Sequence, residues 1–199
     1  PTKGQPSVVP AWAGFLGAVT GMNLAGISIG EKGAASSDES FAGMPMIFTV
    51  REALRQSTSL DAAIQTFRHG PRTCGFNFIL GSGDERDAVA LELTRSQFHV
   101  FRFGDPAEAQ PPHTPIPDAV RRTNHFVHPD LAKTQPRRDE GYDPARYLRS
   151  SAERYQRITR FLLDHRGRVD VPAMIAVLRG YPKPHPCLHQ AVMNSTDRE

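Results

Sequence analysis

The sequence predicts an α+β fold in which antiparallel sheets lie between helices. Segments with helical periodicity occur in pairs before and after a run of short apolar strands, and the strands are joined by connections of hairpin length. Such short connections disfavour a doubly wound parallel sheet, whose strands need long crossovers. The low number of helices excludes a helical bundle.

The first structured stretch, residues 15–30, has the pattern of a strand, a tight turn and a second strand. Gly-Met-Asn-Leu-Ala-Gly at 21–26 supplies turn residues, and Ile27 and Ile29 then alternate with polar or small residues. Residues 12–16 are predicted to enter the interior of a sheet. The chain is therefore expected to open directly into its core.

Asn23 lies in the predicted turn between these strands. A short side-chain amide with two N–H donors, anchored by paired strands, suits the stabilisation of a carbonyl oxygen that becomes an oxyanion. Asparagine is also an ordinary turn residue, so on spacing alone a structural role is the better interpretation.

Two short helices are predicted after a small, polar loop at residues 31–45. Thr49 and Glu52 have the spacing of a capping box at the start of the first helix. Ser59 is expected to cap the second helix, over 59–69, where apolar residues repeat at helical spacing.

The apolar period then changes to that of strands. Residues 73–80, 88–93 and 97–103 are predicted to be adjacent strands of an antiparallel meander. The five prolines of residues 105–119 indicate a loop. A further short strand is predicted over 119–126.

Two helices complete the predicted order of elements. Ser150 and Ser151 are expected to cap a helix over 151–165 that has one apolar face. Asp170 is expected to cap a final short helix with a proline in its first turn. Loops 31–45 and 105–119 are expected to line any substrate pocket.

Composition describes an ordinary globular domain. The chain has 199 residues, 39% of them hydrophobic and 23% charged, which suffices for a sizeable core. A net charge of +3 with scattered basic residues predicts no nucleic-acid surface. No apolar run reaches the ~18 residues that span a bilayer, so no membrane partner is expected. The sequence is compatible with an oligomer.

The two cysteines, Cys74 and Cys187, are far apart in the sequence. Such sparse cysteines predict no disulfide framework, and the expected compartment is the reducing cytoplasm. Residues 1–199 are interpreted as a single domain that lacks material at both ends, since the first strand follows Pro1 closely and no capping element follows the last apolar segment.

Three segments carry a resemblance to a known family: T-G-M-N-L-A-G at 20–26, T-N-H at 123–125 and S-A-E-R at 151–154, with C-L-H at 187–189 as a weaker fourth. In this order they resemble the penicillin acyltransferase-like cysteine peptidases, the acyl-CoA:6-aminopenicillanic acid acyltransferase family. That family is related to the choloylglycine hydrolases within the N-terminal-nucleophile hydrolase superfamily. The resemblance covers roughly residues 12–189.

The resemblance implies a four-layer αββα fold and three catalytic residues. Asn23 and Asn124 would be active-site asparagines, the first in the oxyanion hole, and Arg154 would support the nucleophile. It also implies an N-terminal cysteine, exposed by self-cleavage, whose α-amine acts as general base in attack on a small acyl amide or acyl thioester. No cofactor is implied.

The sequence departs from the family at the nucleophile. Family members carry it upstream of the T-G-M-N segment, and Pro1 is not a nucleophile. Neither Cys74 nor Cys187 holds the required N-terminal position. We therefore expect the chain to be an internal part of an amidohydrolase or acyltransferase and to be inactive as given.

Three alternatives remain open at this point. A non-catalytic relative could bind a ligand or partner through the same pocket, and the secondary amine of Pro1 could act as a base. A metal-dependent hydrolase could use the H-x-C-x-H pattern, whose alternate residues share one face of a strand. Its ligands would be His185, Cys187 and His189, joined by His125 or His128.

Overall fold

One antiparallel sheet organises the fold in the computed structural model, which describes residues 4–136, 144–180 and 189–199. Its strands follow chain order: β1 (Ser7–Val8), β2 (Thr20–Asn23), β3 (Ile27–Gly33), β4 (Phe76–Ser82), β5 (Asp87–Leu93) and β6 (Phe98–Phe101). The helices are α1 (Met46–Gln56), α2 (Leu60–His69), α3 (Pro129–Ala132), α4 (Pro144–Asp164) and α5 (Val171–Gly180), and Pro106–Ala109 form a 3₁₀ turn. The predicted α+β class with antiparallel pairing is confirmed.

The predicted meander is confirmed in order and direction. β4 pairs with β5 and β5 with β6, both antiparallel, within a residue or a few of the predicted bounds. β3 completes the centre of the sheet by pairing with β4 over its whole length, from Ile27 opposite Ser82 to Gly33 opposite Phe76. β3 therefore extends past Glu31, where a loop was predicted to begin.

Helices α1 and α2 cover one face of the sheet. Alternate strand residues such as Ile29, Leu80 and Leu91 point to this face and are completely buried with Leu54 of α1 and Phe67 of α2. Burying a side chain of this size contributes about 1.5–3 kcal/mol. The two-residue period of the strands and the helical period of α1 and α2 thus meet in one core.

The helix caps were predicted with mixed success. Ser59 caps α2 as expected, since its Oγ accepts the N–H of Ala62 at 3.1 Å. The capping box at Thr49 is wrong: α1 begins at Met46, one turn earlier, and Thr49 is buried inside the helix. The extra turn forms because Met46 packs against the apolar core. Asp170 caps α5 as predicted, accepting the N–H of Ala173 at 2.8 Å.

The opposite face of the sheet is covered by residues 120–127 and α4. Val127 and Tyr155 pack there against Ala90 and Phe101. The strand predicted over 119–126 is wrong, because this segment makes no ladder. Its backbone groups bond to side chains of the sheet instead, so the described residues contain one sheet where two were predicted.

Two other predictions are corrected by the structure. Residues 12–16 lie in turns at the surface, where Trp12 is 45% and Leu16 72% exposed, and not inside a sheet. α4 begins at Pro144, so Ser150 and Ser151 are not helix caps. Proline favours the first turn of a helix, and nothing in residues 145–150 breaks the helical run. Ser151 is consequently a fully buried helix residue.

Among the described residues, no helix combines the length and the hydrophobicity that a bilayer crossing requires.

Candidate active site

Asn124 and Arg154, predicted from separate segments, meet in the structure. Arg154 Nη2 donates to Asn124 Oδ1 at 3.0 Å, and Asn124 Nδ2 donates to the carbonyl oxygen of Gly33 at 2.8 Å. The site therefore joins residues 121–127, helix α4 and the end of β3. Asn124 is half-buried, whereas its six neighbours in 121–127 are all buried. Its side chain is the point at which this segment reaches the surface.

The sheet holds the main chain on both sides of Asn124. Asn77 of β4, completely buried, donates through Nδ2 to the carbonyl oxygens of Thr123 at 2.9 Å and His125 at 2.8 Å. A single side-chain amide thus uses both donors on carbonyls two residues apart. The backbone of Asn124 is thereby fixed from the direction of the sheet.

Glu92, the cross-strand neighbour of Asn77 on β5, extends this support along the segment. Its carboxylate accepts the N–H of Val127 at 2.8 and 3.0 Å and that of His128 at 2.9 Å. These contacts satisfy backbone N–H groups that a ladder with a second strand would otherwise have satisfied.

Helix α4 contacts the same segment through Ser151. Its Oγ accepts the N–H of Asn124 at 2.7 Å and lies 2.8 Å from Nδ1 of His125 and 3.0 Å from Oγ1 of Thr123. Burial, together with the positive charge on Arg122 and Arg154 and the neighbouring His113, lowers the pKa of His125 to about 3. His125 is therefore neutral at ordinary pH.

A buried ion-pair network lies behind the site. Arg122 Nε is 2.7 Å from Glu92 Oε1, its Nη1 is 2.5 Å from Glu108 Oε1, and Arg121 Nη1 is 2.6 Å from Glu108 Oε2. Burial opposes the charge on Arg122, yet Glu92 and Glu108 raise its pKa overall. The network fastens the 3₁₀ turn to the sheet. In the sequence Arg121 and Arg122 were only an adjacent basic pair.

Glu31 lies near the same end of β3, but no described contact joins it to Asn124 or Arg154. It lies on β3 two residues before Gly33, and a methyl group placed on Gly33 would lie 3.7 Å from its Oε1. Burial raises the pKa of this carboxyl, against the opposing effect of Lys32. Glu31 continues the alternation of Ile27 and Ile29, so its side chain lies on the face of the sheet that α1 and α2 cover, opposite residues 120–127.

Asn23 lies at the other end of β3. Its Nδ2 donates to the carbonyl oxygens of Leu54 at 2.9 Å and Ser57 at 2.7 Å, and its Oδ1 accepts the N–H of Ile27 at 2.9 Å. Ile27 and Gly33 are the two ends of the strand, about 20 Å apart at ~3.3 Å per residue. The structure thus brings Asn124 and Arg154 together and leaves Asn23 apart.

Both N–H donors of Asn23 are engaged by carbonyls at the C-terminus of α1, which lack partners within the helix. This amide links the β2–β3 turn to α1. A catalytic role for Asn23 stays a prediction.

The proposed metal ligands are only partly within the described residues. His185 and Cys187 lie outside them, and His189 packs near Trp12 with ring centroids 6.2 Å apart. Across residues 4–136, 144–180 and 189–199, no three His, Cys, Asp or Glu side chains are grouped to hold a metal ion. Cys74 is a free, half-buried cysteine.

A groove of about 410 Å³ lies away from Asn124 and Arg154. It is formed by α2 and the residues after β6, with Arg68, Arg102 and Asp105 in its lining. Its lining includes Asp105 and Pro106, the first two residues of the predicted pocket loop 105–119, but neither Asn124 nor Arg154 is among the described residues that line it. Geometry and chemistry therefore favour the end of β3 as the candidate site.

Solved structures define the class of fold. The chain superposes on a Caenorhabditis elegans ortholog of N-acylethanolamine-hydrolyzing acid amidase with a TM-score of 0.50 and 15% identity, covering 90% of this chain and 74% of that one. A conjugated bile acid hydrolase mutant from Clostridium perfringens gives a TM-score of 0.46 at 11% identity, over 88% and 63% of the two chains. The chain therefore shares the fold of the first of these structures.

Sequence comparison then identifies the family. Residues 7–192 match the model of acyl-coenzyme A:6-aminopenicillanic acid acyl-transferase, and the chain belongs to this family. The resemblance seen in the motifs is confirmed.

Curated relatives are considerably longer. A protein of Archaeoglobus fulgidus is 26% identical over 183 residues, which are 86% of this chain and 29% of that protein. Protein dcd1A of Dictyostelium discoideum is 32% identical over 114 residues, 55% of this chain and 24% of its own length. The chain therefore spans less than a third of these relatives.

Proposed function

We propose that this chain carries the carbonyl-activating part of a self-processing N-terminal-cysteine amidohydrolase or acyltransferase. The substrate is a small acyl amide or acyl thioester, and the reaction passes through an acyl-enzyme. The observation that supports this proposal is the pairing of Asn124 with Arg154 at the half-exposed end of β3. Family membership supplies the reaction class.

In this proposal Asn124 donates a hydrogen bond to the oxyanion. One N–H of its amide is used by the carbonyl of Gly33, and the described residues offer the second N–H no acceptor. Arg154 holds the Oδ1 side of the amide, which turns both N–H groups away from the guanidinium. A donor placed in this way contributes about 10²–10³ in kcat in comparable sites. Arg154 remains protonated at any working pH.

The nucleophile in this proposal is a cysteine in residues that precede Pro1 in the full-length polypeptide. After self-cleavage its α-amine, with a pKa of ~8, accepts the thiol proton. The thiolate attacks the carbonyl carbon and a C–S bond forms. The bond to the leaving amine or thiol then breaks, and that group takes the proton from the α-ammonium. Water or an amine next attacks the thioester and regenerates the thiol.

No cofactor enters this scheme, and a cytoplasmic location is proposed from the sparse cysteines. Asn23 has an oxyanion role by family resemblance only, because its contacts in the structure are those of a link between β2 and α1. The 199-residue chain alone is proposed to have no turnover.

The test compares the 199-residue chain with the full-length polypeptide. Both are assayed against N-acyl amides and acyl thioesters, and the acyl-enzyme is trapped and located by mass spectrometry. We expect turnover and an acylated N-terminal cysteine only in the full-length protein. Turnover by the short chain that Cys74→Ala or Cys187→Ala abolishes would show that the nucleophile lies elsewhere. Inactivity of both would favour a non-catalytic relative.

A further inference from the structure

We infer that Ser151 is a positioning residue for Asn124: its hydroxyl accepts the N–H of Asn124 and fixes the main chain from which the oxyanion donor projects. The inference rests on the proposed function, since it concerns the donor assigned there. It assigns a role in the reaction to a buried serine that touches neither the substrate nor the reacting atoms.

The hydrogen bond between Ser151 and Asn124 has a fixed direction. The N–H of Asn124 can only donate, so Ser151 Oγ accepts it at 2.7 Å. Thr123 Oγ1 is 3.0 Å from the carbonyl oxygen of Ser151, an acceptor, so the Thr123 hydroxyl donates there. The proton of the Ser151 hydroxyl goes either to Oγ1 of Thr123 at 3.0 Å or to Nδ1 of His125 at 2.8 Å. In both cases Ser151 Oγ remains the acceptor of the Asn124 N–H.

Ser151 contacts a segment outside its own helix. Among the described residues, Ser151 Oγ makes hydrogen bonds to Thr123, Asn124 and His125, all in that other segment. Ser151 is completely buried, so water does not compete for these bonds. The hydroxyl is committed to the segment that carries the donor.

Helix α4 holds Asn124 at two points. Ser151 and Arg154 are three residues apart and so lie on one face of the helix. Ser151 takes the main-chain N–H of Asn124, while Arg154 takes the side-chain Oδ1 at 3.0 Å. One rigid helix thus sets both the position of the backbone and the rotation of the amide. Without the hydrogen bond to Ser151, the main chain of Asn124 can shift while Arg154 still contacts its side chain.

A purely structural role makes a different prediction from a positioning role. If the role of Ser151 were purely structural, replacing it would lower the stability of the protein and leave the rate per folded molecule unchanged. A positioning residue acts on the transition state, so its loss lowers kcat while KM changes little. A displacement of about 1 Å in a group that contacts the reacting atoms can lower the rate about 100-fold, because only a narrow range of geometries is productive.

Thr159 supplies a matched control on the same helix. Its hydroxyl is also buried, donates to the carbonyl of Tyr155 at 2.8 Å and accepts from Arg121 at 2.9 Å, but contacts neither Asn124 nor its neighbours in 123–125. Thr159→Val removes a comparable buried hydroxyl with little change in shape. Ser151→Ala removes the hydroxyl under test. Ser151→Cys serves if the alanine variant does not fold, because cysteine is similar in size to serine and its sulfur is a weaker hydrogen-bond acceptor.

The experiment measures kcat, KM and melting temperature for the full-length protein and the three variants. We expect Ser151→Ala and Ser151→Cys to lower kcat about tenfold or more with KM within about threefold. Thr159→Val should keep kcat within about twofold of wild type, even if its melting temperature falls as much as that of the Ser151 variants. Equal kcat for wild type and Ser151→Ala, or equal losses in the Ser151 and Thr159 variants, would overturn the inference.

Hydrogen exchange separates this inference from the proposed function. The peptide that covers 121–128 is followed by mass spectrometry in wild type and variants. We expect faster exchange in Ser151→Ala than in Thr159→Val, because the N–H of Asn124 loses its acceptor. If the wild-type protein turns over no acyl substrate, the proposed function fails. Unchanged exchange in Ser151→Ala overturns the anchoring of Asn124 whatever the activity.

Discussion

Arg154 donates a hydrogen bond of 3.0 Å to the side-chain oxygen of Asn124, thirty residues earlier in the chain. The bond fixes which end of the amide is the acceptor, so the N–H end faces Gly33 and the surface at the end of β3. A side-chain amide held in this way is pre-oriented as a donor, which avoids reorganisation when negative charge develops on a substrate oxygen.

Replacing Asn124 tests its assigned role directly. We expect Asn124→Ala in the full-length protein to lower kcat by about 10²–10³, because the oxyanion loses a donor. Stability should change little, since the side chain is half-buried. Asn194→Ala is the control, since Asn194 also donates through its amide, to Asp197 at 2.8 Å in an exposed turn. Steady-state kinetics and thermal melts give both readouts, and an unchanged kcat would contradict the role of Asn124.

Asn23 is tested by separating stability from catalysis. Asn23→Ala leaves the carbonyls of Leu54 and Ser57 without their donors, so we expect a loss of about 2–4 kcal/mol in the free energy of unfolding. The rate per folded molecule should be unchanged if the contacts of Asn23 are its whole function. Urea denaturation and kcat, measured on the same preparation, decide between the two roles. A large loss of kcat at unchanged stability would establish the oxyanion role implied by family resemblance.

The buried ion pairs predict a contrast between two arginines. Arg122→Met leaves Glu92 and Glu108 buried without their partner, and we expect a loss of about 3–5 kcal/mol. Arg102→Met removes an exposed pair with Asp87 at 3.0 Å and should cost less than about 1 kcal/mol. Chemical denaturation of both variants measures the difference. Similar losses would mean that the buried network contributes no more than a surface contact.

The low pKa of His125 predicts acid sensitivity. Folded His125 stays neutral down to about pH 3, whereas the unfolded residue binds a proton below its ordinary value of 6.5. The unfolded state therefore binds more protons between these two pH values. The contribution of neutral His125 to the free energy of unfolding is fully present above pH 6.5 and is lost as the pH falls toward 3. From pH 7.5 to 5.0 this residue should cost about 2 kcal/mol.

The control for this effect is His125→Asn, which retains a polar atom near the position of Nδ1 but does not titrate. Urea denaturation at pH 7.5 and pH 5.0 gives the change in free energy of unfolding for both proteins. We expect a smaller decrease in the variant. Identical decreases would show that other groups cause the acid sensitivity.

Local signals predicted the elements whose partners are near in sequence. The alternation in 73–80, 88–93 and 97–103 identified three strands because short turns bring them together in register. Ser59 was identified as a cap because its partner is the N–H of Ala62, three residues away. The family motifs added Asn124 and Arg154, which no period or spacing would have paired.

Long-range side-chain contacts decided the rest. The pattern over 119–126 predicts a strand. In the structure, backbone carbonyls and N–H groups of residues 123–127 bond instead to the side chains of Asn77 and Glu92, more than thirty residues earlier in the chain. Ser151 reads as a helix cap, yet it is a buried residue that holds Asn124. Asn23 was predicted in the turn but is the last residue of β2, where its carbonyl accepts the N–H of Gly26 across the turn. The partners of its amide are 31 and 34 residues away.

The sequence by itself therefore determined the antiparallel sheet, most of its covering helices and the family, because the periodicity of apolar residues and short motifs depend only on residues close together in the chain. Only the tertiary structure decided which polar side chains are buried together and which amide remains open at the end of β3. A buried polar group must find a partner wherever the fold brings one, and that partner leaves no mark on the residues beside it.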